Sequence, residues 1–120
     1  MKQLIVFFVS LVFSIAASAN DIACTAEFRG FNEAGRHVVE EVKLREYYSD
    51  ATTTILEGEL RAKYFAATFY RDIAEVFGQI IEAADSSVGA TGRSYVPAGR
   101  RFKLVSVDGS TVYTLECGVR

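Results

Sequence analysis

Metal-binding and nucleophilic side chains are scarce in this chain. Its 120 residues include one histidine, His37, two cysteines, Cys24 and Cys117, no tryptophan and one proline, Pro97. A single histidine excludes a histidine-based metal cage, and two cysteines oxidised to each other leave no thiolate to replace it. No metal and no cofactor are expected. A hydrolase built on His37 with an acid and a serine lacks any Gly-x-Ser-x-Gly context. The run Gly89-Ala90-Thr91-Gly92-Arg93-Ser94 lacks the spacing and the lysine of a phosphate-binding loop. Glu40 and Glu41 point to opposite faces of a regular strand, while Glu57 and Glu59 share a face that reads as solvated. No catalytic residue is assigned, and an enzyme is not expected.

Long apolar runs are also missing, apart from Leu4 to Phe13. That run follows Lys2 and closes on Ala17-Ser18-Ala19, the n-region, h-region and small-x-small pattern of a secretory signal. It falls short of the ~20 apolar residues of a transmembrane helix. Residues 1–19 are therefore expected to be a signal peptide and 20–120 a single small domain, exported to the periplasm or secreted, with no stable membrane span after cleavage. Cleavage removes Lys2 and no acid, moving the formal net charge from −2 to −3. A mildly acidic chain is no default partner for nucleic acid or an anionic membrane. The rival reading makes Cys24 a lipid anchor, but Asp21-Ile22-Ala23 places a charge where a lipoprotein signal carries apolar and small residues. Cys24 and Cys117 bracket nearly the whole mature chain, and in an oxidising compartment such a pair is expected to be a structural disulfide.

What is present is mostly period-2 alternation. Cys24, Ala26 and Phe28 alternate with Thr25, Glu27 and Arg29, giving a half-buried first strand. Residues 30–36 suit a hairpin loop, and a second strand runs from Val38 to about Tyr48. Ser49-Asp50-Ala51 is a turn signal. A β-branched run, Thr52 to Leu56, is expected to break or bulge at Glu57-Gly58-Glu59. A long strand then follows from Glu59 to Tyr70. Asp108-Gly109 between two alternating runs marks a hairpin, and Cys117 lies in the last strand.

Residues 72–96 support two readings. Ile73, Val76, Phe77, Ile80, Ile81 and Ala84 form a helical stripe, with Asp72 and Glu75 placed as a capping box. Gly78 opposes the helix, and a pair of strands, Val76–Ala83 and Val88–Val96, keeps the meander continuous. The fold class is therefore mostly β: a small antiparallel meander forming a barrel or sandwich, closed by a disulfide between the first and last strands. An α+β fold with one helix near 72–85 packed on the sheet is the alternative.

Function then falls to surfaces. Arg93, Arg100, Arg101 and Lys103 concentrate positive charge in the last third of the chain, and adjacent aromatics such as Tyr47-Tyr48 and Phe69-Tyr70 place one ring of each pair outward. The candidate binding surface is Arg93, Arg100, Arg101, Lys103, Tyr48 and Tyr70. The expected function is a non-enzymatic exported binding module taking an envelope or extracellular protein, or a glycan, on an aromatic and arginine face. A small barrel carrying an apolar ligand is a second reading and a hydrolase a third. In size and β character the chain is similar to the small exported inhibitors of lysozyme, a likeness that rests on no motif.

Overall fold

Buried side chains recur at every second position through most of the described chain, and that alternation organises it as strands. A computed structural model describes residues 21–120, so the expected signal at 1–19 lies outside the described residues. The strands are β1 (Ile22–Phe31), β2 (His37–Lys43), β3 (Arg45–Ser49), β4 (Thr53–Leu60), β5 (Lys63–Tyr70), β6 (Glu75–Glu82), β7 (Gly89–Tyr95), β8 (Arg101–Asp108) and β9 (Thr111–Val119). They form a four-stranded sheet ordered β2-β1-β9-β8 and a five-stranded sheet ordered β3-β4-β5-β6-β7, antiparallel throughout. The fold is all-β, and of the two forms expected it is the sandwich.

Consecutive strands are neighbours almost everywhere, so the chain is one meander folded over at two corners. At the first, β2 runs into β3 through Leu44. Its N–H donates to the Cys24 carbonyl at 3.0 Å, and its side chain turns into the core beside Gly58. The second strand expected from Val38 to Tyr48 is thus continuous as chain but changes sheet at Leu44. At the second corner, Val96 is buried and donates to Ala74 of the five-stranded sheet's end, while Gly99 donates to Val119 and leads into the β8–β9 ladder of the four-stranded sheet.

The disulfide joins first and last strands as expected. Cys24 pairs directly opposite Cys117, 93 residues apart, with Cα atoms 4.0 Å from each other. This bond also removes Cys24 from any role as a lipid anchor. Its position differs from the expectation in one respect. β1 and β9 are the inner strands of their sheet, so the bond staples its middle while β2 and β8 remain the edges.

The core lies between the sheets. Ala26, Phe28, Phe102, Leu115 and Cys117 meet Leu56, Phe65, Phe69, Val76 and Ile80, none more than 6% exposed. Each large apolar side chain buried there contributes about 1.5–3 kcal/mol. The same packing fills the space that a carrier of an apolar ligand would need.

The pair of strands expected within 72–96 is present, as β6 and β7, and the alternative helix near 72–85 is not. In β6, Val76, Gly78 and Ile80 face inward and Phe77, Gln79 and Ile81 outward. Apolar residues on both faces of one strand reproduce a helical stripe by coincidence, and Ile73, which would have led that stripe, is 53% exposed. Two other local expectations are corrected. Gly58 does not interrupt β4, which continues to Leu60. The break comes at Arg61-Ala62, a two-residue turn in which Arg61 takes φ of 59°. Finally, the last hairpin turns on Gly109-Ser110 rather than Asp108-Gly109. Asp108 still pairs with Thr111, and Gly109, at φ 64°, supplies the positive dihedral at the first turn position.

Candidate functional site

Register places the outward residues of the five-stranded sheet in rows. Tyr48, Ile55, Thr68, Phe77 and Arg93 lie side by side across β3 to β7. One row towards the 50–52 and 71–74 turns come Thr53, Tyr70, Glu75 and Tyr95. On the other side lie Arg45, Glu57, Ala66, Gln79 and Thr91, then Glu59, Tyr64 and Ile81. The centre of the face thus holds Ile55, Thr68 and Phe77, each half-buried, with Ala66 buried beside them, ringed by tyrosines and charges. Among the described residues no strand packs across it. Tyr48 is 48% exposed and Tyr95 68%.

Several of these rings are held in place. Arg93 Nε lies 2.8 Å from Glu75 Oε1, and its guanidinium sits 5.9 Å from the Tyr70 ring centre. The Tyr64 hydroxyl donates to Glu57 Oε1 at 2.6 Å. Burial, then that bond, then the carboxylate's charge push the Tyr64 phenol up to about 12. The Tyr48 hydroxyl donates to Asp50 Oδ2 at 2.6 Å, which raises the Tyr48 phenol. The Tyr48 bond, followed by the N–H groups of Thr52 and Thr53, holds Asp50 down to about 2. Arg71 ties the same loop by donating to the Asp50 carbonyl and to Thr54 Oγ1. Side chains fixed this way lose little freedom when a partner arrives.

The outer face of the four-stranded sheet differs in kind. Its rows read Lys43, Thr25, Glu116, Lys103, then Glu41, Glu27, Thr114, Val105, then Val39, Arg29, Val112, Val107. Charges of both signs are interspersed with the exposed valines Val39, Val105 and Val107, Glu41 lies beside Glu27, and Arg29 pairs with Glu27 and Arg101 with Glu116, at 2.9 and 2.8 Å. Arg100 lies in the loop before β8, its N–H donating to the Pro97 carbonyl.

The six candidate residues therefore do not share one surface. Tyr48, Tyr70 and Arg93 come together on the five-stranded sheet, and Arg101 and Lys103 lie on the opposite outer face, with Arg100 at its end. Proximity in sequence had grouped Arg93 with Arg100, Arg101 and Lys103, yet the corner at 96–100 separates them. Phe77, Tyr95, Ile55 and Ile81 were missed as members of the aromatic face. Strand alternation through 75–82 is the signal that would have found Phe77 and Ile81, since the expected strand Val76–Ala83 already places them on the face opposite Val76 and Ile80.

The other singled-out residues are structurally placed. His37 sits exposed at the start of β2, its ring 5.6 Å from that of Phe31. Among the described residues no three His, Cys, Asp or Glu side chains gather as a metal cage. One ionic feature went unnoticed in the sequence. Lys63, at the polar start of β5, points into the sandwich, pairs with Glu82 opposite it on β6, and lies 5.2 Å from the Tyr113 ring centre. Beside it Arg61 grips Glu40 through two bonds of 2.8 and 2.9 Å and covers the Phe28 ring.

No protein-family model matches the chain, and no curated protein matches it. Among solved structures, the membrane-proximal domain of mouse lysosome-associated membrane protein 1 is similar over 82% of this chain and 76% of that one. The identity is 7% and the TM-score 0.28. At that score the likeness carries no argument about function.

Proposed function

We propose that this chain is an exported, non-enzymatic binding module that takes a protein partner on the outer face of the five-stranded sheet. The observation that carries the reading is the uncovered row Tyr48, Ile55, Thr68, Phe77, Arg93 and the tyrosines beside it. Here exposed Tyr48 and Tyr95 flank half-buried Ile55 and Phe77, and apolar surface rimmed by polar groups marks interaction sites on soluble domains. Tyrosine and arginine around an apolar centre is the composition of protein interfaces, and of their energetic anchors in particular. A glycan is the less suited occupant, because Ile55 and Ile81 offer sugar hydroxyls no hydrogen bond. Export is supported by the disulfide, which forms and persists in oxidising compartments.

Capture from cell-envelope and culture-medium fractions tests this reading. Wild type, Phe77→Asp on the five-stranded sheet and Val105→Asp on the opposite face serve as baits, with captured proteins quantified by mass spectrometry. A protein enriched by wild type and Val105→Asp and lost with Phe77→Asp is the expected result. Capture that ignores Phe77→Asp, or retention of a polysaccharide that is lost with Phe77→Asp while no protein is enriched, overturns it.

A further inference from the structure

A second feature lies on the other side of the molecule and owes nothing to the aromatic face. In the row Ala23, Gly118, Arg101 of the four-stranded sheet, two neighbouring positions carry a methyl group or nothing. Their small size leaves a depression at the disulfide end of the sheet. It is an open depression of about 410 Å³, bounded by the row of Lys43, Thr25 and Glu116 and by the loop containing Gly99 and Arg100. The walls are fixed: Gly99 donates to Val119, Val119 to Arg100, and Arg120 to Asp21, while Cys24 and Cys117 are bonded beneath.

Charge in this cleft runs against that of the chain. Lys43, Arg100, Arg101 and Arg120 line it together with Glu116, with Lys103 next to Glu116 in the same row, in a protein of formal net charge −2. Glu116 accepts the Nε–H of Arg101 at 2.8 Å, which orients the guanidinium. Its Nη1 then lies over the floor, 3.7 Å from where a Cβ of Gly118 would stand. An arginine so positioned presents donors in a fixed fork, the geometry that oxyanions accept. The volume lies in the range of small-ligand sites and exceeds the needs of a bare ion.

We propose that this cleft is an oxyanion site that takes a phosphate or sulfate group esterified to a sugar-sized ligand, with Arg100, Arg101 and Lys43 as the anion-binding residues. The ester has two possible sources, a free sugar ester or one unit of a polyanionic glycan, and the chemistry at the cleft is the same for both.

Amide-resolved NMR titration of the disulfide-bonded protein tests it, using inorganic phosphate, N-acetylglucosamine 6-sulfate and a heparin hexasaccharide as separate probes. Shifts centred on Ala23, Lys43, Gly99 and Gly118 are expected with at least one sulfated probe. Arg100→Gln with Arg101→Gln should weaken that binding about tenfold or more, as expected for lost charge-assisted bonds. Gly118→Val fills the floor without changing charge, at a position whose φ suits any residue, and should abolish binding while the fold persists. Arg93→Gln, on the far sheet, should leave it unchanged. A monosaccharide ester matching the hexasaccharide identifies a free sugar ester, and binding of the hexasaccharide alone identifies a glycan chain. Either supports the site. Response to inorganic phosphate alone, shifts spread over both sheets, or binding that survives both Gly118→Val and the arginine pair overturns it.

Discussion

One methyl group at position 78 should reveal how the two sheets meet. Gly78 lies on the inner face of β6, opposite Gly92 on β7, and the Phe102 ring from the other sheet rests on it. A Cβ built there would stand 2.6 and 2.8 Å from Phe102 Cε2 and Cζ, and 3.1 Å from Leu115 Cδ2. Carbon atoms settle at about 3.5–4.0 Å, so the ring must retreat by roughly 1 Å within a core where Phe102 is 5% exposed. Overpacking of this kind costs about 1–3 kcal/mol. Against it, Gly→Ala at an ordinary φ gains about 0.4–1 kcal/mol by restricting the unfolded chain. The expected net for Gly78→Ala is a loss of about 1–2 kcal/mol, read as a lower urea midpoint at unchanged slope. Phe102→Leu removes the offending ring atoms, so Gly78→Ala with Phe102→Leu should be more stable than the two single losses predict, by about 1 kcal/mol or more. Gly78→Ala as stable as wild type, or a coupling below about 0.5 kcal/mol, would refute the stacking of Phe102 on Gly78.

Replacing Cys24 and Cys117 together by alanine should lower unfolding free energy by about 4–5 kcal/mol, the chain-entropy value for a loop of this size. Urea melts of oxidised, reduced and doubly substituted protein check it, and the reduced and substituted forms should agree. Glu82→Gln should cost about 2–3 kcal/mol because it strands the buried ammonium of Lys63, whereas Lys63→Met should be close to neutral, as apolar replacements of buried ions often are. Thermal melts of both variants make that comparison. Tyr64 should be the last phenol to ionise, near pH 12, with Glu57→Gln lowering that step only in part, because burial is its larger cause. Its folded value lies above the unfolded ~10, so its contribution to stability is complete below pH ~10 and is lost as pH rises through 12. Phenolate absorbance against pH for wild type, Tyr64→Phe and Glu57→Gln follows it.

Much of this architecture was legible because strand alternation and turn chemistry are local. Cys24, Ala26 and Phe28 share the buried face their spacing implies, and residues 32–36 and Gly109 turn where small and flexible residues sit. Legibility failed where the deciding partner is distant. Arg61-Ala62 makes a tight turn without glycine, asparagine or aspartate, and what holds it is Glu40, 21 residues away, gripping Arg61. Lys63 looks solvent-facing by composition, yet Glu82 and the Tyr113 ring receive it inside. Gly78 looks like a helix breaker and is a seat for Phe102. The candidate surface failed for the same reason. Whether Arg93 and Arg101 are neighbours depends on a corner that reverses the chain from one sheet to the other, and no residue pattern between them encodes that separation.

The most direct test of the account is the affinity of a captured partner for face variants of the folded protein. Phe77→Ala should weaken binding by about 30-fold or more, the effect of a central anchor worth about 2 kcal/mol. Val105→Ala, on the opposite sheet, should change it less than about threefold. The reverse order, or equal loss from both, would contradict recognition through the five-stranded sheet.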